Sequence, residues 1–336
     1  NGIENGISGL QEKVQAGYSI VVFTEGTRTP DAYNRRFHKG AFFIAEKLQL
    51  DLLPVVIHGT AYTMSKGDFL LKDGHITIKY LPRIGPGNKC FGETYTERAK
   101  NIGKYFREQY AQLQGGAEQP AYFREQLIYN YLYKGPVLEW YIKIKTKLEK
   151  NYQLFHELLP KAGHISDIGC GYGFMSYQLH FAAPGRDITG YDYDEEKIAV
   201  ANHCFSRNEN IRFEEADVSI MQPHASDAFI LADVLHYLEP EQQLELLEKC
   251  MNRLHPASVM LVRDGDRDLE ERHGRTKLTE YFSTRFFSFN KTVHEQLFFL
   301  SGKTVQEMAA RKNMHCRIID PSKHTSNVIF VITHSG

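Results

Sequence analysis

Apolar residues follow two regimes along this chain. Before about residue 114 they form short, separate runs. Residues 18–23 and 52–58 are β-rich runs and 75–80 alternates apolar with polar, so each predicts a strand. Residues 40–50 place Phe43, Ile44 and Leu48 at helical spacing, and 97–113 predicts a second helix. Gly115-Gly116-Ala117-Glu118-Gln119-Pro120 breaks the pattern and predicts a linker. Aromatic-rich helices follow over 122–133 and 137–159, divided at Gly135-Pro136. Beyond Pro160 strands and helices alternate. Strands are predicted at 164–168, 187–191, 211–214, 228–232 and 258–263, with the clearest helix at 240–254. Residues 316–320 and 328–333 predict a terminal hairpin.

Repeated strand-helix units imply an α/β fold: a mostly parallel sheet with helices on both faces, closed by the antiparallel hairpin. The expected organisation is a domain at 1–114, a linker at 115–120 and a second domain at 121–336. Residues 121–160 of that second domain form a helical cap.

Composition adds limits rather than identity. The 336 residues leave room for about two domains. With 42% hydrophobic and 24% charged residues the chain reads as soluble and globular, not fibrous or disordered. Lys+Arg 40 against Asp+Glu 41 gives a formal charge of -1, which argues against a basic nucleic-acid binder. No apolar run nears the ~20 residues of a membrane helix, and the first residues lack a signal-peptide pattern. Cys90, Cys170, Cys204, Cys250 and Cys316 are odd in number and scattered, without Cys-x-x-Cys. That usage predicts reduced thiols in the cytoplasm, with no disulfide framework and no metal site.

The most informative segment is His164-Ile165-Ser166-Asp167-Ile168-Gly169-Cys170-Gly171-Tyr172-Gly173. A strand, a glycine turn and a helix in that order make a nucleotide-site context, because glycines permit a tight turn and close approach of a ligand. Asp192, about 20 residues on, can accept ribose hydroxyls. Phe174 stands where a dinucleotide fingerprint needs its third glycine, which argues against NAD or FAD. Asp167 suits a ligand with an ammonium or sulfonium charge and repels a pyrophosphate.

The set DIGCGYG, GYD, ADV and DVLHYL resembles the class I S-adenosylmethionine-dependent methyltransferases over about residues 154–333. The resemblance implies a Rossmann-like sheet and S-adenosylmethionine as cofactor. It implies that Asp167 and Gly169, Cys170, Gly171 and Gly173 hold the methionine part, and that Asp192 holds the ribose beside Tyr193. Asp217 would reach the adenine amine and Val218 its ring, and the exit of the fourth strand, Asp233 to Tyr237, would face cofactor and acceptor. Methyl transfer needs a base only if the nucleophile is protonated. His236, Asp264 and Asp266 are the candidate catalytic residues, at strand ends. Tyr237, Tyr131 and Trp140 are candidate acceptor walls. Phe282, Phe286, Phe287, Phe289, Phe298 and Phe299 make 282–299 strongly aromatic, suiting an apolar acceptor or a satellite core.

In the first domain, Thr24-Glu25-Gly26-Thr27-Arg28-Thr29 can cradle an anion, with Arg able to bind phosphate bidentately. FTEGTRT, FHKGAF and LPVVI resemble the glycerolphosphate acyltransferase family of lysophosphatidic acid acyltransferase type, over about residues 17–84. The resemblance implies that Glu25, Gly26, Thr27 and Arg28 hold an acceptor phosphate. That family's catalytic His-x-x-x-x-Asp motif belongs upstream of this turn. Only 24 residues precede Glu25; none is His, and the acidic ones are Glu4 and Glu12. Thr24 also replaces a common Pro. Without an initiator Met, the chain is expected to be a fragment of a fused acyltransferase-methyltransferase, with its acyltransferase part inactive.

The expected activity is methyl transfer to a small-molecule or lipid-like acceptor. The alternative is a cofactor-binding accessory domain of a membrane-associated acyltransferase. The expected place is the cytoplasm or the inner face of a membrane, with no nucleic-acid partner.

Overall fold

The computed structural model describes residues 2–27, 33–64, 66–67, 69, 71–149, 151–268, 297–320 and 327–335. The chain divides into two compact units, Asn1–Glu118 and Gln119–Gly336.

In the first unit, α1 (Gly2–Gln15) and α2 (Gly40–Lys47) precede β1 (Val55–His58), a single turn α3 (Thr60–Thr63), β2 (Thr77–Tyr80) and the long α4 (Tyr95–Ala117). β1 and β2 pair antiparallel, Val55 opposite Tyr80. Phe37, Phe42, Ile84, Ala99 and Ile102 form a small core. Thr94 and Glu97 close a reciprocal capping box at the start of α4. One expectation is corrected here. Residues 18–23 are not in a strand: Val21 is 83% and Phe23 78% exposed, and no described strand pairs with them. A β-rich run becomes a strand only where a neighbour completes its hydrogen bonds. Residues 115–117 of the expected linker are the last residues of α4, and the boundary between the two units, Glu118 to Gln119, falls within the expected range.

The second unit opens with α5 (Arg124–Tyr131), α6 (Pro136–Leu148) and α7 (Asn151–Leu158). The chain then alternates: β3 (Ala162–Ile168), α8 (Phe174–Ala182), β4 (Gly185–Asp192), α9 (Glu195–Asn202), β5 (Ile211–Glu215), β6 (Ala228–Ala232), α10 (Pro240–Met251) and β7 (Val259–Gly265). After α11 (Gly302–Arg311) come β8 (Met314–Ile319) and β9 (Asn327–His334). Among the described residues the sheet has seven strands in the order β5-β4-β3-β6-β7-β9-β8. β3 to β7 are parallel; β9 runs antiparallel to both β7 and β8. This is the mostly parallel, Rossmann-like architecture with a terminal hairpin that the alternation predicts.

Chain order reverses between β3 and β6. In open parallel sheets that switch point opens a crevice at the carboxyl ends of the strands. The central strands are apolar almost throughout, as burial on both faces requires: Phe229, Ile230, Leu231, Met260, Leu261 and Val262 are fully buried. Arg186, also fully buried, anchors the cap to the sheet. Its guanidinium donates to the carbonyls of His156, Leu159, Pro160 and Leu179.

Candidate functional site

Three glycines shape the turn after β3. Gly169, Gly171 and Gly173 take φ values of 77°, 57° and 73°, in the left-handed region open to glycine. A Cβ on Gly169 would stand 2.5 Å from Val234 Cγ2, and one on Gly173 2.4 Å from Phe213 Cε1. A Cβ on Gly171 would meet nothing within 4 Å. Two of the glycines therefore let the loop pack down, while the middle one borders open space. The amides of Gly169 and Cys170 both donate to the Tyr191 carbonyl at the end of β4, which fixes the loop over the sheet.

That open space is a cavity of about 340 Å³ at the switch point. Asp167, Gly169, Cys170, Gly171, Asp192, Tyr193, Asp217, Val218, Asp233 and Tyr237 all line it. Gly173, behind Phe213, does not. So all of the candidate cofactor residues except Gly173, chosen from four separate segments, converge on one place, together with Tyr237 of the candidate acceptor wall.

Their environments differ. Asp192 Oδ2 accepts the Gly171 amide at 2.7 Å and Oδ1 the Asp194 amide at 3.0 Å, leaving lone pairs toward the cavity. Asp167 is 3% exposed and accepts the Ser176 hydroxyl. Burial raises its carboxyl to about 6; the Ser176 bond and Lys145 oppose this, and the Asp192 charge adds to it. Asp217 Oδ1 accepts the Ser219 amide and hydroxyl, holding that carboxylate at the cavity edge. Burial also pushes the Cys170 thiol well above its ordinary range, with the Asp167 and Asp192 charges adding to it.

Opposite the glycine loop the wall is charged. Asp233, just past β6, adopts φ 58°, a strained conformation for a non-glycine residue that aspartate tolerates. Arg263 Nη1 donates to Asp233 Oδ2 at 2.7 Å and to Glu149 Oε2 at 2.6 Å. The clasp joins β6, β7 and the end of α6. Tyr141 and Lys145 of α6, with Tyr152 of α7, complete the wall. Lys145 lies 6.0 Å from the Phe174 ring centre. Phe174 itself starts α8, stacked on Tyr172 and edge-on to Tyr131. The position that lacks a third glycine is thus an aromatic plug between loop and cap.

Several expected residues lie elsewhere. His236, Asp264 and Asp266 do not line the cavity. Asp264 accepts the His236 amide and Nδ1, the latter at 2.7 Å, in a fully buried pair. Asp266 accepts the amides of Asp268 and Gly302. Neighbouring strand residues face opposite sides, so Arg263 reaches the cavity and Asp264 turns away from it. Tyr131 is fully buried, its hydroxyl donating to the Tyr172 carbonyl at 2.6 Å, and Trp140 is 60% exposed off the cavity. Tyr131 ends α5 and Trp140 lies on α6, and neither lines the cavity. Phe282, Phe286, Phe287 and Phe289 lie outside the described residues; Phe298 and Phe299 border a separate depression with Pro240 and Arg267. Glu149, Lys145, Lys197 and Gln242 were missed, because helix periodicity marks them only as polar positions.

In the first unit, Glu25 accepts the Arg35 amide at 2.8 Å and Thr27 Oγ1 accepts from Lys66 at 3.5 Å. Gly26 has φ 71° and packs by the His38 ring. Arg28 lies outside the described residues.

Comparison with known proteins agrees with this division. Residues 165–257 match the family model described as methyltransferase domain, and residues 3–58 match the model described as acyltransferase. A trans-aconitate 2-methyltransferase of Rhizobium meliloti (strain 1021) is 30% identical over 112 residues, 33% of this chain and 42% of that enzyme. A 1-acyl-sn-glycerol-3-phosphate acyltransferase of Limnanthes alba is 38% identical over 66 residues, 20% of this chain and 24% of that enzyme. The chain spans less than half the length of either relative. Human N-acetylserotonin methyltransferase superposes with a TM-score of 0.45 at 16% identity, covering 88% of this chain and 82% of its own. Two separate segments of the chain are thus similar to two different kinds of protein, one described as a methyltransferase domain and the other as an acyltransferase.

Proposed function

We propose that the second unit transfers a methyl group from S-adenosylmethionine to a small-molecule or acyl/lipid-like acceptor. The observation that supports this best is the convergence of the glycine loop, Asp167, Asp192 and Asp217 on one cavity at the switch point of the sheet.

The residues present fit the donor. The open Cβ position at Gly171 leaves backbone for a ligand to lie against. Asp167 offers a buried carboxylate to an ammonium group, and Asp192 has lone pairs for two ribose hydroxyls. In this reading Tyr193 flanks the ribose, Asp217 accepts the adenine amine and Val218 packs on the ring. When bound, the donor supplies an electrophilic methyl on a sulfonium. The protein's own part is to hold the acceptor in line and keep water out. Tyr237, Leu238, Gln242 and the Arg263 clasp wall that side. The Glu25–Thr27 turn belongs, in the same reading, to a phosphate-holding segment of an acyltransferase whose His/Asp pair the residues before Glu25 do not supply.

Calorimetric titration of the chain with S-adenosylmethionine, with NAD as control, tests the reading. Micromolar binding of the first and none of the second is expected. Absence of binding sinks the reading as an activity. With binding established, turnover is sought on trans-aconitate and on acyl-chain acceptors.

A further inference from the structure

α6 carries two apolar faces. Leu138 and Ile142 form one and are buried. Val137, Trp140, Ile144 and Leu148 recur at intervals of three, four and four residues, so they share a second face. That face is open: Val137 is 65%, Trp140 60% and Leu148 46% exposed, with Ile144 half-buried. Leu132 and Tyr133, just before the helix, are exposed as well. Single apolar side chains on a surface are ordinary, but a whole helical stripe left in water marks a contact surface. Its flanks differ. At about 100° per residue, exposed Lys143 and Lys147 lie on one side of the stripe, and Tyr141 and Lys145, which line the cavity, lie on the other. Glu139, the one acidic residue of α6, pairs with Lys143 on the far side of the helix from the stripe. Lys134 adds a further exposed cation just before the helix.

We propose that this face of α6 docks the second unit onto an anionic lipid surface, with Trp140 at the boundary between headgroups and acyl chains and Lys143 and Lys147 toward the headgroup phosphates. Tryptophan favours that boundary, and lysine stems lie along apolar surface while their charges reach out of it. At 13 residues α6 is too short to span a bilayer and lies along the interface instead. A second copy of the chain fits less well. One stripe along about 18 Å of helix falls short of the ~800 Å² per partner that a stable protein interface buries. Because the cavity borders the neighbouring flank of the same helix, docking brings it to the lipid, which suits an acyl/lipid-like acceptor. The docking itself stands independently of the cofactor reading.

Trp140 is the only tryptophan in the chain, so its fluorescence reports on this face alone. The whole chain, without cofactor, is mixed with vesicles of phosphatidylcholine containing phosphatidylglycerol, and in parallel with vesicles of phosphatidylcholine alone. With the anionic vesicles the emission should move to shorter wavelength and acrylamide quenching should fall. Neutral vesicles should do far less, and about 1 M salt, which screens charges beyond ~3 Å, should abolish most of the effect. Lys143→Glu together with Lys147→Glu should weaken partition about tenfold or more, the scale of two lysines at an anionic surface. Val137→Asp should weaken it by a similar factor through lost apolar burial. Circular dichroism shows that these surface variants fold. Sedimentation of the chain with vesicles and no change at Trp140 would put the contact elsewhere and overturn the proposal. So would absence of any binding, or an equal response to neutral vesicles. Trp140 already shielded from acrylamide before vesicles are added would mean that protein covers the face, from this chain or a second copy, and would also overturn it.

Discussion

Arg263 and Asp264 are adjacent in β7, yet they serve opposite faces of the sheet. Arg263 clasps Glu149 and Asp233 in the cavity wall, while Asp264 grips His236 in the buried layer behind it. The charged strand end therefore carries two separate devices, and substitution should tell them apart.

Removing the clasp leaves Glu149 and Asp233 without their shared cation. Arg263→Met is expected to cost about 3–5 kcal/mol of unfolding free energy, the scale for breaking a buried pair from one side. Urea unfolding monitored by circular dichroism measures it. A loss under about 1 kcal/mol would mean that water reaches both carboxylates.

Asp264→Asn should behave differently. It weakens the buried pair and lowers the melting temperature, but S-adenosylhomocysteine affinity should stay within about threefold, since neither His236 nor Asp264 lines the cavity. A variant that kept its stability and lost turnover would restore His236 as a catalytic base.

Asp192→Ala removes the acceptor for the Gly171 amide together with the expected ribose contact. Affinity for S-adenosylmethionine should fall about 100-fold or more, as for loss of two hydrogen bonds to a charged group. Asp192→Asn should fall between. Calorimetry at neutral pH reads both.

The raised carboxyl of Asp167 gives a pH signature. Protonation below about 6 removes the negative charge that an ammonium would meet. Affinity for S-adenosylhomocysteine should be flat above that pH and fall about tenfold per unit below it. Asp167→Asn should flatten the profile. The stability effect in the ligand-free chain has the opposite sign. A carboxyl raised by burial from 3.8 to about 6 favours the folded, protonated form, so that contribution is present below pH 3.8 and lost as pH rises through about 6. Melting temperature against pH, with and without ligand, separates the two.

Two glycine substitutions should diverge. Gly173→Ala drives a Cβ into the Phe213 ring from a left-handed backbone, and should cost about 2–5 kcal/mol from strain and overpacking together. Gly171→Ala carries only the backbone cost of about 1–2 kcal/mol, because its Cβ enters open space. That space is the cavity, so it should nevertheless weaken cofactor binding. Thermal melts and titration of both variants check the contrast.

The sequence by itself determined the alternation of strands and helices after Pro160, the glycine turn and the acidic residues at successive strand ends. These are local matters: period, turn chemistry and order along the chain follow from neighbouring residues. The same locality made 18–23 look like a strand, although pairing is decided by a partner far away. Only the tertiary structure decided which charged residues share the cavity. Lys145 and Glu149 come from the cap and Arg263 from β7 in the sheet, and Glu149 and Arg263 are 114 residues apart in the chain. Spacing carries no signal for such a meeting. It also decided that Arg263 and not Asp264 faces the site, because the register of β7 between β6 and β9 sets which side each residue serves.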